Sequence, residues 1–152
     1  MTTLHDIMRE GFLFVVQCTD TVSHAVRVMA DSNVGIVAVL DGDRLVGVCS
    51  ERDVVRRVVA KGLEPSTTRV GDVMTRDLIV SDESEEYREA MRKMDQANIR
   101  HLPVVRDGRL VSMLSVRDLM RVDMQRMGDE LKFLHEYLYT VPPDIVAHAA
   151  TK

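Results

Sequence analysis

LVGVCSERDVVRR, at Leu45–Arg57, and LVSMLSVRDLMRV, at Leu110–Val122, say nearly the same thing and align without a gap at an offset of 65. The agreement spreads upstream: Arg44 meets Arg109, Val39 meets Val104, Asn33 meets Asn98, Met29 meets Met94, Ala25 meets Ala90 and Val15 meets Val80. Asp6 and Met8 meet Asp72 and Met74 once one residue is skipped. The chain is therefore one unit built twice.

The first unit reads as strand, helix, strand, turn, strand, helix. Leu13–Val16 is a short apolar run, and Asp20–Ser32 carries Val22, Ala25, Val26 and Met29 at helical spacing behind a cap at Thr19 or Asp20. Val34–Leu40 is rich in β-branched residues, turns at Asp41-Gly42-Asp43 and returns as Leu45–Cys49. Glu51–Ala60 then places Val54, Val55, Val58 and Val59 on a helical pattern. The second unit repeats this order as Leu78–Val80, Glu85–Gln96, Leu102–Val105, Asp107-Gly108, Leu110–Leu114 and Val116–Val122. A sheet of three short strands needs a partner layer to close its core. The fold class is therefore α/β (α+β): two β-α-β-β-α repeats packed about a pseudo-two-fold axis, plus a C-terminal helix. The expected divisions are residues 1–62, a connector at 63–69, residues 70–122, and a helix with its tail at 123–152.

Composition excludes several functions. A net charge of −4 offers no basic face, so nucleic acid is not an expected partner, and pairs such as Arg56-Arg57 read as solvated helix surface. No apolar run approaches the ~20 residues that cross a bilayer, and the opening MTTLHDIMREG lacks the pattern of a secretion signal. The expectation is a cytoplasmic protein that does not engage membranes. Cys18 and Cys49 have no ligand spacing, and Cys49 reads as a small buried hydrophobe. The histidines are scattered, so no metal site is expected. No nucleophile–base constellation and no glycine-rich phosphate loop is present, so the chain is not expected to be an enzyme.

The chemistry that the repeats do carry is the doubled S-x-R-D: Ser50-Glu51-Arg52-Asp53 and Ser115-Val116-Arg117-Asp118, each where a strand gives way to a helix. One reading is purely structural, a serine N-cap with an acid three residues on. The other uses the same geometry to bind a ligand. A hydroxyl at a helix N-terminus can donate to a phosphate, and an aspartate one turn away can accept from the vicinal hydroxyls of a ribose. Arg52 and Arg117 can add counter-charge.

With both copies written out, VAVLDGDRLVGVCSERD and HLPVVRDGRLVSMLSVRD, and with Asp72-Val73-Met74-Thr75 echoed weakly at Asp6-Ile7-Met8, the chain resembles the cystathionine-β-synthase (CBS) domain over about residues 4 to 122. The resemblance implies a tandem pair, the Bateman module, which commonly dimerises and binds adenine nucleotides or related adenosyl ligands in clefts between the repeats. It assigns Ser50 and Asp53 to one cleft and Ser115 and Asp118 to the other. Leu13 and Leu78 match positions that flank the base, and Arg100 and His101 match a polar pair that reaches phosphates, with Pro103 beside them. The first copy has Gly35 and Ile36 where the second has Arg100 and His101, so the two clefts are not chemically equal.

The implied function is a stand-alone regulatory sensor: a homodimer that binds AMP, ADP, ATP, S-adenosylmethionine or a similar ligand and signals to an unidentified regulated protein. No covalent cofactor is expected, and magnesium only with a polyphosphate. Replacing Asp53 and Asp118 by Ala is expected to abolish binding and spare the fold. The alternative is a ligand-free dimeric adaptor acting through its C-terminal helix. There Met120, Met124, Met127, Leu131, Leu134 and Leu138 form a heptad seam ahead of Pro142-Pro143, which either folds back on the module or pairs with a second copy.

Overall fold

The computed structural model describes residues 1–8 and 13–140. It divides into two units, residues 1–116 and the residues from 117 on.

The first unit holds both repeats. After a one-turn helix α1 (Leu4–Ile7) come β1 (Val15–Gln17), α2 (Val22–Ser32), β2 (Ile36–Asp41) and β3 (Arg44–Ser50). α3 (Glu51–Val54) runs into a π-turn at Val55–Val59, and α4 (Val70–Val73) follows. The second repeat supplies β4 (Ser81–Asp82), α5 (Tyr87–Ala97), β5 (His101–Arg106) and β6 (Arg109–Ser115). Each sheet has three strands, ordered β1-β2-β3 and β4-β5-β6, with the first pair parallel and the second antiparallel. The sheets meet along β3 and β6.

The repetition extends to backbone detail. α2 and α5 end on Asn33 and Asn98, both in the left-handed conformation (φ 53° and 52°). Asparagine tolerates that conformation and so stops each helix at the same place. The β2–β3 turn has one positive φ, at Gly42, and the β5–β6 turn has two, at Asp107 and Gly108. Such turns follow the right-handed twist of a hairpin.

Three boundaries differ from the sequence reading. The cap of α2 is Thr21, whose hydroxyl accepts from the His24 N–H (3.2 Å), because Asp20 is already turned back to accept from the Gln17 N–H (2.8 Å). The last helix of the first repeat widens into the π-turn, where the Ala60 N–H reaches the Val55 carbonyl (2.9 Å). In that turn Val58 is buried, whereas Val55 and Val59 are exposed. The expected strand at Leu78–Val80 is absent and β4 begins at Ser81. In the first repeat the Ala38 N–H ties β2 to the Phe14 carbonyl (3.0 Å). Pro103 stands at that place in the second repeat and has no N–H to give. As the seam from Met120 to Leu138 required, the helix beginning at Val116 runs on past Val122.

The two repeats exchange their opening segments. Val22 N–H donates to the Thr68 carbonyl (2.9 Å), Val70 N–H to Asp20 (2.8 Å) and Gly71 N–H to Cys18 (2.9 Å). The same bonds recur with the repeats swapped: Tyr87 N–H to Thr2 (3.1 Å), Leu4 N–H to Glu85 (2.9 Å) and His5 N–H to Glu83 (2.8 Å). The beginning of the second repeat thus completes the first, and the N-terminus completes the second. Packing follows the hydrogen bonds. Val70 and Met74 join Val16, Ala25, Met29, Val37, Val39 and Cys49 in one cluster, and Val73 packs with Val22 and Val58 in another. Gly47 is required where β3 passes this segment, since a Cβ there would lie 2.9 Å from the Thr75 carbonyl oxygen.

An ion cluster closes the N-terminal exchange. Glu83 accepts from Arg106 Nε (2.5 Å) and Nη2 (2.7 Å) and lies 3.0 Å from His5 Nδ1. The hydrogen bonds from Arg106, and then that from His5, hold the Glu83 carboxyl down at about 2. A carboxyl depressed in the folded state stabilises fully above its ordinary value near 4.5, and the contribution fades as pH falls toward 2. The melting-temperature gap between the native protein and Glu83→Gln is therefore expected to be constant from pH 7 to about 5 and to shrink below pH 4. An acid titration of both proteins by thermal melting checks it, and a gap that widens on acidification contradicts the assignment.

The second unit is α6 (Val116–Thr140), a 25-residue helix whose first residue belongs to the first unit. Leu119 is buried, but every residue from Met124 to Tyr139 is exposed. The six seam residues are 50% to 70% exposed. Pro142 and Pro143 lie outside the described residues.

Candidate functional site

The strand–helix junctions are where the predicted residues gather. β3 ends on Ser50, which caps α3, and the pair Ser50/Asp53 forms a closed capping box. The Asp53 N–H donates to Ser50 Oγ (3.2 Å), and the Ser50 N–H (2.9 Å) and Oγ–H (3.1 Å) donate to Asp53 Oδ2. Asp53 is only 9% exposed. Its other oxygen, Oδ1, receives the Thr75 hydroxyl at 3.3 Å and lies 3.7 Å from Arg57 Nη1. Arg57 is no idle surface cation: Nη1 also donates to the Val73 and Met74 carbonyls, each at 2.9 Å. Both partners of Asp53 outside its own turn thus come from the exchanged segment or reach it.

A carboxylate offers about four lone-pair positions. Ser50 occupies two on Oδ2 and Thr75 one on Oδ1, leaving Oδ1 as the place where a further hydroxyl can donate. The expectation that Asp53→Ala spares the fold is corrected by this network. Losing the cap and stranding Thr75 and Arg57 is expected to cost about 1–2 kcal/mol, read as a lower denaturation midpoint. A midpoint equal to that of the native protein would show that the box contributes nothing.

Cys49 precedes the junction and is fully buried. Burial, assisted by the Asp53 carboxylate, pushes its thiol up to about 11, so it is a protonated core side chain at neutral pH.

The sheet register sets the other predicted residues beside these junctions. Ile36 is paired with Ser50, and His101 with Ser115. Carrying the β1–β2 register back, where the Ala38–Phe14 bond continues it, sets Leu13 level with Ile36, whereas Leu78 lies outside the β4–β5 ladder. The loop before each β-strand also holds the helix start, with Glu51 N–H donating to the Gly35 carbonyl (3.0 Å) and Val116 N–H to the Arg100 carbonyl (2.8 Å). Arg100, His101 and Ser115 therefore meet at one place in the first unit. Pro103 is buried within β5, and Arg52 is exposed on α3. Arg117 and Asp118 lie in the first turn of α6, in the second unit.

The junctions differ in charge. A Cβ on Gly35 would lie 3.3 Å from the Glu51 carboxylate oxygen, so an acid covers the first junction. The second has Val116 in place of Glu51 and Arg100 in place of Gly35. Sequence reading caught the Gly35/Arg100 difference but missed Glu51, Thr75 and Arg57. Thr75 was in view as the end of the Asp72–Thr75 motif. Its partner in space was not.

A cleft of about 300 Å³ lies elsewhere, near the β2–β3 turn, and is lined by Asp41, Arg44, Arg69, Asp72 and Arg76 among others. It contains none of the predicted residues. Among the described residues no group of three or more His, Cys, Asp or Glu is placed to hold a metal ion, and no helix is long and apolar enough to cross a membrane.

Comparison with known proteins agrees with the repeat. The CBS domain model matches residues 4–60 and again 70–125. The mitochondrial CBS domain-containing protein CBSX3 of Arabidopsis thaliana is 34% identical over 149 residues, covering 90% of this chain and 72% of that protein. The crystal structure of the CBS domain NE2398 superposes with a TM-score of 0.76 at 28% identity, covering 82% of this chain and 99% of the other. A crystal structure of CBSX2 in complex with AMP superposes with a TM-score of 0.71 at 28% identity, covering 84% and 99%.

Proposed function

Because this chain belongs to the CBS-domain family and carries two such domains in tandem, we propose that it is a regulatory sensor, a homodimer that binds an adenosine-containing ligand at its strand–helix junctions and signals by changing shape or partner. The observation that carries this reading is the second junction, where Arg100 and His101 stand against Ser115 and Val116 replaces the acid Glu51 of the first. A guanidinium, an imidazole and a hydroxyl next to a helix start are what a phosphate needs. CBSX2, of the same fold, is known in complex with AMP, and AMP has one phosphate to place. At the first junction Glu51 repels a phosphate, and Oδ1 of Asp53 is open only to a hydroxyl donor. That junction suits an uncharged adenosyl group or remains a purely structural turn.

The test is a thermal-shift panel of adenosine, AMP, ADP, ATP, S-adenosylmethionine and NAD(H). A ligand at about a hundred times its dissociation constant adds about 2.7 kcal/mol of stability. AMP is expected to raise the melting temperature more than adenosine does. A second reading, a ligand-free dimeric adaptor, is favoured by the closed capping box at Ser50/Asp53, which explains both residues without any ligand. A flat response across the panel, from protein shown by mass spectrometry to carry nothing, would establish that reading instead.

A further inference from the structure

The C-terminal helix, at 25 residues, is longer than a repeat requires. Every residue from Met124 to Tyr139 is exposed. Most of a helix's stability in a protein comes from packing an amphipathic face, and Gly128 weakens this one by about 1 kcal/mol relative to Ala. Its seam alternates steps of four and three from Met120 to Leu138, the spacing that faces a second helix.

Charge selects the occupant and its direction. With Met124, Leu131 and Leu138 at a and Met120, Met127 and Leu134 at d, Asp123 and Glu130 fall at g, and Arg121 and His135 at e. In a parallel, in-register pair, g of one helix faces the next e of the other, so Glu130 meets His135. In an antiparallel pair centred on the same seam, Glu130 meets Glu130, like against like. We propose that the helix pairs in parallel with the same helix of a second copy, making α6 a dimerisation coiled coil. This rests on the dimeric reading above and is independent of the ligand.

The test uses the full chain with Cys18→Ser, Cys49 being fully buried, and single cysteines introduced as Met120→Cys, Met127→Cys or Leu134→Cys. Gln125→Cys, off the seam, is the control. All four positions are exposed, so folding is not at issue. Parallel pairing predicts that the three seam variants shift to the dimer band on mild oxidation while the control stays monomeric. Cross-linking at Met127→Cys alone would indicate antiparallel helices, since the other two cysteines would then lie roughly 15 Å or more from their copies. That result, cross-linking at no seam position, or equal cross-linking of the control would overturn the proposal. Sedimentation of the same samples separates the two readings. A dimer without seam cross-links leaves the dimeric reading standing, and a monomer removes both.

Discussion

Leu4→Ala is expected to destabilise the protein by about 3 kcal/mol, though it alters the fourth residue of the chain. N-terminal residues are ordinarily dispensable. Here Leu4 is completely buried and its N–H is bonded to the Glu85 carbonyl at 2.9 Å. Truncating a buried leucine costs about 2–5 kcal/mol through lost transfer energy and the cavity left behind. The loss should fall on the second repeat, whose α5 presents the buried Tyr87, Ala90 and Met94. Urea unfolding gives the magnitude. Native-state hydrogen exchange gives the place, with protection lost first at Tyr87–Ala97 rather than at Val22–Ser32. A variant as stable as the native protein would mean that the N-terminal exchange is ornamental.

Arg100→Ala is expected to weaken AMP binding by about tenfold to a hundredfold, the worth of one hydrogen bond to a charged group at about 1.5–3 kcal/mol. Arg100 is exposed, and its backbone carbonyl, which holds the Val116 N–H, is kept in the variant, so the melting temperature without ligand should not move. Glu51→Gln, at the other junction, should leave that affinity unchanged. Calorimetric titration of the three proteins reads this directly. Equal affinity in Arg100→Ala would remove the second junction from phosphate binding, and a change in Glu51→Gln alone would move the ligand to the first.

The local features were legible because they are written locally. A doubled turn signal, a doubled asparagine stop and a doubled S-x-R-D each speak through residues within a few positions of one another. Ser50 and Asp53 were therefore readable as a capping box before any coordinates. What could not be read was whatever depends on a distant strand. The loss of Leu78–Val80 as a strand is decided at Pro103, the role of Arg57 by the carbonyls of Val73 and Met74, and the fate of Asp53 by Thr75. The exchange of opening segments has no local signature, because each segment is complementary to the copy it does not belong to. The heptad of α6 was plain, because its seam is written along a single helix.

That exchange also sets the order in which the chain can mature on the ribosome. Domains usually fold in turn as they are synthesised, the N-terminal one first. The first repeat here cannot finish its core until Val70 and Met74 have emerged from the exit tunnel, and Thr2 and Leu4 must wait for Tyr87 and Glu85. Neither repeat can mature alone during translation. A chain cleaved in the connector should recover its fold only by complementation between the two fragments.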